Sequence, residues 1–158
     1  MNKHDNPSQR HKLSDIRRST EQLWAGVKYD IMARGYRYYK EITTQFGQAE
    51  SLADYEQIRV ALSDIQHRIP YSQAGLRTSM QHMWGYVSKK VSQEERAHYE
   101  ALTQGWQHIP YREAHYSASY LPEAFLPVVQ WLALIADQYK VSYLQNTFKY
   151  GFLGRTSQ

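Results

Sequence analysis

The chain contains no cysteine, which excludes disulfides, thiolate nucleophiles, iron–sulfur clusters and the cysteine types of zinc site. No run approaches the roughly 18 apolar residues of a membrane span. The opening stretch, Met1 to Lys12, has no apolar segment of the kind a signal peptide needs. A cytoplasmic protein that does not engage a membrane is the expectation. The sharp catalytic signatures are also missing: there is no His-Glu-x-x-His helix, no glycine-rich phosphate loop and no Gly-x-Ser-x-Gly elbow. Histidines stand at 4, 11, 67, 82, 98, 108 and 115, and no two are spaced three or four apart, the spacing that aims a helical pair at one metal. These absences lead us to expect no cofactor, no metal and no catalytic activity of the chain's own.

What is present is a basic and unusually aromatic composition. Nineteen Lys and Arg against fifteen Asp and Glu give a net charge of +4 and a pI near 9.2, a balance that favours polyanionic partners without specifying one. Fourteen tyrosines join four tryptophans and four phenylalanines, and such rings pack with one end while hydrogen-bonding or stacking with the other. Hydrophobic residues at 42% and charged residues at 22% are globular proportions, and 158 residues suit one core.

The apolar spacing is helical throughout, so the expected fold is all-α, a single-domain bundle of five to seven helices over residues 13–158, preceded by a flexible basic arm at 1–12. A first helix from Ser14 or Ser19 carries the stripe Leu23, Trp24, Val27 and Ile31, and Gly35 ends it. A second, from Tyr36 to about Gln45, turns Tyr38, Tyr39, Ile42 and Phe46 inward. Ser51 with Asp54 forms a capping box for a third, which Pro70 stops. Ser72 opens a fourth that runs to about Lys90, and Ser92 with Glu95 caps a fifth that ends at Pro110. The stretch from Tyr111 to Leu126 reads as a loop with at most a short turn of helix, and Pro127 suits the first turn of a last long helix bearing Val128, Trp131, Leu132, Ile135 and Tyr139. Buried positions are expected at Trp24, Ile31, Tyr38, Ile42, Leu62, Met80, Trp84, Leu102 and Trp131.

Two groups of residues carry functional signals. Arg34 to Lys40 is the densest basic and aromatic stretch, and with Tyr38 and Tyr39 inward it leaves Arg34, Tyr36, Arg37 and Lys40 as an exposed face. Cations that neutralise phosphates, interleaved with rings that stack on unpaired bases, are what RNA recognition requires, although a plain solvated basic face has the same composition. On the fourth helix His82, Gly85 and Tyr86 lie near the apolar stripe's opposite side. A mid-helix glycine there suggests the close approach of another helix or a ligand, and His82 is expected to be hydrogen-bonded within the bundle or at a groove edge. Lys89 and Lys90 complement a helix C-terminus, and Arg77 is a single charge.

The segment Met80, His82, Gly85, Tyr86, followed by a lysine pair and Ser92-Gln-Glu-Glu-Arg96, resembles the YbgA-type family of helical domains of unknown function. Upstream, Lys28-Tyr29, Met32-Ala33-Arg34 and Tyr39-Lys40 resemble further family segments, so the similarity spans roughly Leu23 to Leu144. Leu76-Arg77-Thr78 stands where the family usually has His-Thr-Asn, and no role of that motif transfers. The resemblance implies an all-helical domain found alone or fused to desulfidase domains that act on thiouridine in tRNA, with the helical part helping to hold the tRNA.

The expected function is therefore an RNA-binding module, tRNA first, that assists a partner tRNA-modifying or desulfidase enzyme. Its candidate contacts are Arg34, Tyr36, Arg37, Lys40, Arg77, His82, Tyr86, Lys89 and Lys90. The alternative is a protein-interaction or scaffold domain with no nucleic-acid ligand, since exposed tyrosine and arginine also build protein interfaces. An enzyme with an unfamiliar site around His82 and Tyr86 is the third reading.

Overall fold

The computed structural model describes residues 7–108 and 116–152. Among the described residues there are seven α-helices and no strand: α1 (Pro7–Arg34), α2 (Tyr36–Gln48), α3 (Leu52–Arg68), α4 (Gln73–Gly85), α5 (Gln93–Gln104), α6 (Leu126–Gln138) and α7 (Ser142–Tyr150). The chain is a single helical bundle, as the apolar spacing predicts.

The bundle is organised around α1, which packs against α2, α3, α4 and α7. From Tyr29 to Arg34 all six residues are buried, so this end of α1 is enclosed on every side. Its faces divide the interior in two. Val27 and Ile31 join Ile42, Tyr55, Ile58 and Leu62 of α2 and α3, whereas Tyr29, Met32 and Ala33 join the buried residues of α4 to α7. The nine residues expected in one core are thus shared between two clusters. Trp24, Tyr38, Trp84, Leu102 and Trp131 are half-buried, the other four are buried, and none is exposed, so the helical phases hold.

Both capping boxes form. Ser51 Oγ accepts from the Asp54 N–H while Asp54 Oδ2 accepts from the Ser51 N–H, and Ser92 and Glu95 repeat the arrangement at the start of α5. The Asp54 carboxyl is held below its usual range chiefly by the Glu50 N–H, then by Ser51.

Three helix ends differ from expectation: the start of α1, the end of α4, and the end of α5, which stops at Gln104 and passes into a 3-10 turn, Gly105–His108, instead of running to Pro110. Helix α1 begins at Pro7, so residues 7–12 of the expected arm are helical, and residues 1–6 lie outside the described residues. Leu13 and Ile16, half-buried against the α2–α3 cluster, carry the apolar stripe two turns further back than Ser19. Helix α4 ends at Gly85 instead of Lys90, after which the Tyr86 N–H bonds to the Met83 carbonyl and Val87, Ser88 and Lys90 continue as turns. Residues 111–115 of the expected loop lie outside the described residues, and Glu123–Phe125 forms the one short helical turn that reading allows, ahead of α6. The tail beyond Val141 forms α7, whose Leu144, Thr147 and Phe148 are buried.

Gly75 explains how closely α4 approaches α1. A Cβ there would lie 2.5 Å from the Ala33 carbonyl oxygen, the same oxygen that accepts from the Ser72 N–H at 3.1 Å. At Gly85 a Cβ would meet nothing within 4 Å, so the close approach expected at Gly85 occurs three turns earlier, at Gly75.

Candidate functional site

Just before the enclosed end of α1 stands half-buried Lys28, beside Tyr29. Tyr29 is buried, and its hydroxyl donates to the Tyr86 hydroxyl at 3.2 Å where α4 runs out. Helix α7 brings Tyr143 alongside, stacked on Tyr86 with ring centroids 5.3 Å apart and planes at 14°, and edge-on to Tyr29 at 6.3 Å. The Lys28 ammonium lies 5.4 Å from the Tyr29 ring centre and 5.1 Å from that of Tyr143, within the range of cation–π attraction. His82 completes the edge of this cluster, its ring 6.3 Å from Tyr29.

A second aromatic array adjoins the first. Half-buried Trp24 stacks on Tyr39 at 5.7 Å, and Tyr39 stacks on exposed Tyr36 at 5.5 Å, both pairs at 25°. This ladder leads from the α2–α3 cluster out to solvent, and Lys28 interacts electrostatically with Tyr39 at its middle. Arg37 and Lys40 are exposed on the same short helix. The Arg37 guanidinium sits 4.6 Å over the Tyr38 ring and its Nη2 donates to the Tyr38 hydroxyl.

Burial pulls the Lys28 pKa down, but the hydrogen bond and charge interaction with Tyr143, and then Tyr86 and Tyr39, outweigh it and hold the ammonium above its ordinary value. Tyr29 is pushed upward by burial first and by Tyr86 second, so its phenol stays a proton donor far beyond neutral pH. A fixed cation among protonated, electron-rich rings has the chemistry to attract an anion or a flat group.

Of the residues singled out from sequence, Tyr36, Arg37, Lys40, His82 and Tyr86 are exposed. Lys89 and Lys90 are exposed in the turns after α4, and Arg77 is half-buried on α4. His82 is exposed at the rim of the cluster, the edge placement of the two expected for it. One placement corrects the expectation. Arg34 is 2% exposed and belongs to no outward face. Its Nη2 and Nε donate to Asp30 Oδ2, its Nη1 donates to the carbonyls of Ile69 at 2.7 Å and Ala118 at 3.0 Å, and the guanidinium lies 4.1 Å over the Tyr71 ring. Gln66 Nε2 and the Tyr71 hydroxyl also donate to Asp30. Arg34 therefore fastens the end of α1 to the segment after α3.

Lys28, Tyr29 and Tyr143 were absent from the sequence candidates. The first two have a signal, since Lys28-Tyr29 is among the segments that carry the family resemblance. Tyr143 has none without α7. Among the described residues no group of three or more His, Asp or Glu could hold a metal ion, and no helix is long and apolar enough to cross a membrane.

A family model described as a protein of unknown function (DUF1722) matches residues 28–148, a span that begins at Lys28 and contains Tyr29, Tyr36, Tyr39, His82, Tyr86 and Tyr143. No curated protein and no solved structure matches the chain.

Proposed function

We propose that this chain, which belongs to the DUF1722 family of proteins of unknown function, binds RNA through the face where α1, α2, α4 and α7 meet. One observation carries the reading: Lys28 is held between the Tyr29 and Tyr143 rings beside the Tyr86–Tyr143 stack, with the Tyr36–Tyr39 stack adjoining. Tyr36 is 48% exposed and Tyr86 40%, so each offers ring surface to an unpaired base. Lys28, Arg37 and Lys40 supply charge for phosphates. Rings that need an unpaired base favour a folded RNA with loops over a plain duplex, whose bases are already stacked. The YbgA-type resemblance adds the species, tRNA, and the role of holding it for a separate tRNA-modifying enzyme.

The test is a binding titration against tRNA and against duplex DNA of equal length at two salt concentrations. The proposal expects tRNA binding that weakens with salt and remains where DNA binding has vanished. Equal affinity for both would reduce the face to a general basic surface, and no tRNA binding at low salt would favour the protein-interaction alternative.

A further inference from the structure

Beside the Lys28 cluster runs a groove of about 470 Å³ between α1 and α7, within the range of about 300 to 1,000 Å³ typical of small-molecule clefts. Its walls are two helical stripes. Ser19, Gln22 and Gly26 follow one another at three- and four-residue steps on α1, and Tyr143, Asn146 and Tyr150 do the same on α7. Gly26 sets the spacing of the two helices, since a Cβ there would lie 3.2 Å from Tyr150 Cβ.

The chemistry of the lining is specific. Among the described residues no charged side chain lines the groove; Leu23 and Ala25 add apolar surface, while the hydroxyl of Ser19 and the amides of Gln22 and Asn146 offer neutral donors and acceptors. A tyrosine stands at each end, seven residues apart and so separated by about 10 Å along α7. Each of these rings carries a cation: Lys28 is 5.1 Å from the Tyr143 ring centre, and Lys149 is 5.2 Å from that of Tyr150. A neutral hydrogen-bonding floor between two aromatic, cation-bearing ends matches one nucleotide within a strand, whose uncharged base lies between two phosphates.

We infer that the α1–α7 groove is a binding slot for the base of a single unpaired nucleotide, read by Gln22 and Asn146, with Lys28 and Lys149 receiving the flanking phosphates. The inference deepens the RNA reading and rests on it for the source of the nucleotide. It assigns the slot to recognition of a base edge and leaves backbone affinity to the tyrosine and lysine face.

The experiment follows the side-chain amide signals of Gln22 and Asn146 in the ¹⁵N-labelled full chain during titration with the four nucleosides, their 5′-monophosphates and ribose 5-phosphate. The slot requires that at least one nucleoside shift both amides, that its monophosphate bind several-fold tighter, and that ribose 5-phosphate leave the amides unmoved. Asn146→Leu, an exposed substitution on α7, is expected to weaken that binding at least fivefold with the folded spectrum retained. Amides that stay still with every nucleoside, or that respond equally to ribose 5-phosphate, overturn the inference, as does unchanged binding by Asn146→Leu. If tRNA binds while nucleosides leave the amides unmoved, the slot fails and the RNA reading stands. If a nucleoside binds as described and tRNA does not, the slot stands for free nucleotides and the RNA reading fails.

Discussion

Arg34 and Asp30, one turn apart on α1, form an ion pair with both side chains wholly out of solvent, the guanidinium donating to Oδ2 through Nη2 at 3.1 Å and Nε at 3.3 Å. Further partners surround the pair: Nη1 donates to the Ile69 and Ala118 carbonyls, and Gln66 and Tyr71 donate to the Asp30 carboxylate. Removing one charge leaves the other buried and uncompensated. Arg34→Gln or Asp30→Asn is therefore expected to cost about 3 to 5 kcal/mol, read from urea unfolding. A loss below about 0.5 kcal/mol, the size of a typical surface substitution, would show that Arg34 is not confined as described.

Two glycines on α4 separate close approach from open space. Gly75→Ala places a methyl 2.5 Å from the Ala33 carbonyl oxygen and must push α4 off α1, at a cost of about 1 to 3 kcal/mol. Gly85→Ala meets nothing within 4 Å, and reduced freedom in the unfolded chain makes it neutral or stabilising by up to about 1 kcal/mol. Thermal melts of the two variants check the contrast, and a reversed order would contradict the α1–α4 packing.

Alkaline pH is expected to destabilise the fold. Burial pushes the Tyr99 phenol up to about 12, and raises Tyr71 and Tyr29 as well, with Asp30 and Tyr86 as their next causes. In the unfolded chain these phenols lose their protons near pH 10. Between pH 10 and 12 the unfolded state therefore binds fewer protons, and stability falls as pH rises. Urea midpoints measured from pH 8 to 11 should be level and then decline. A midpoint that stays level through pH 11 would place these hydroxyls in solvent.

The helices were legible in sequence because their caps and stripes are local: Ser51 with Asp54 and Ser92 with Glu95 are three residues apart, and Val27 and Ile31 four. What sequence could not supply was long-range. Arg34 has Asp30 one turn before it, a local pairing that is equally at home on an exposed helix face, and only the convergence of Ile69, Ala118 and Tyr71 takes it inside. Tyr143 and Tyr29 are 114 residues apart, and the helix carrying Tyr143 is nine residues long, too short to stand out among mixed polar and aromatic neighbours.

Stacking by Tyr36 separates from charge. Tyr36→Ala removes the outer ring of the Trp24–Tyr39–Tyr36 ladder and leaves Tyr39 in place. A loss of about 1 to 3 kcal/mol in tRNA affinity with an unchanged salt slope is expected of a base platform. An unaffected affinity would confine Tyr36 to shielding Tyr39.

Because Arg34 is structural, the cations to remove are Lys28, Arg37 and Lys40, the first half-buried and the other two exposed. The most direct measurement is the salt dependence of tRNA binding by the Lys28→Gln, Arg37→Gln, Lys40→Gln variant beside the parent chain, after circular dichroism has shown equal helicity. Each lost phosphate contact flattens the slope of log K against log salt by about 0.7 to 0.9, so a decrease of about 2 to 3 is expected together with strongly weakened binding. A folded variant that keeps the parental affinity and slope would contradict the proposal that this face binds RNA.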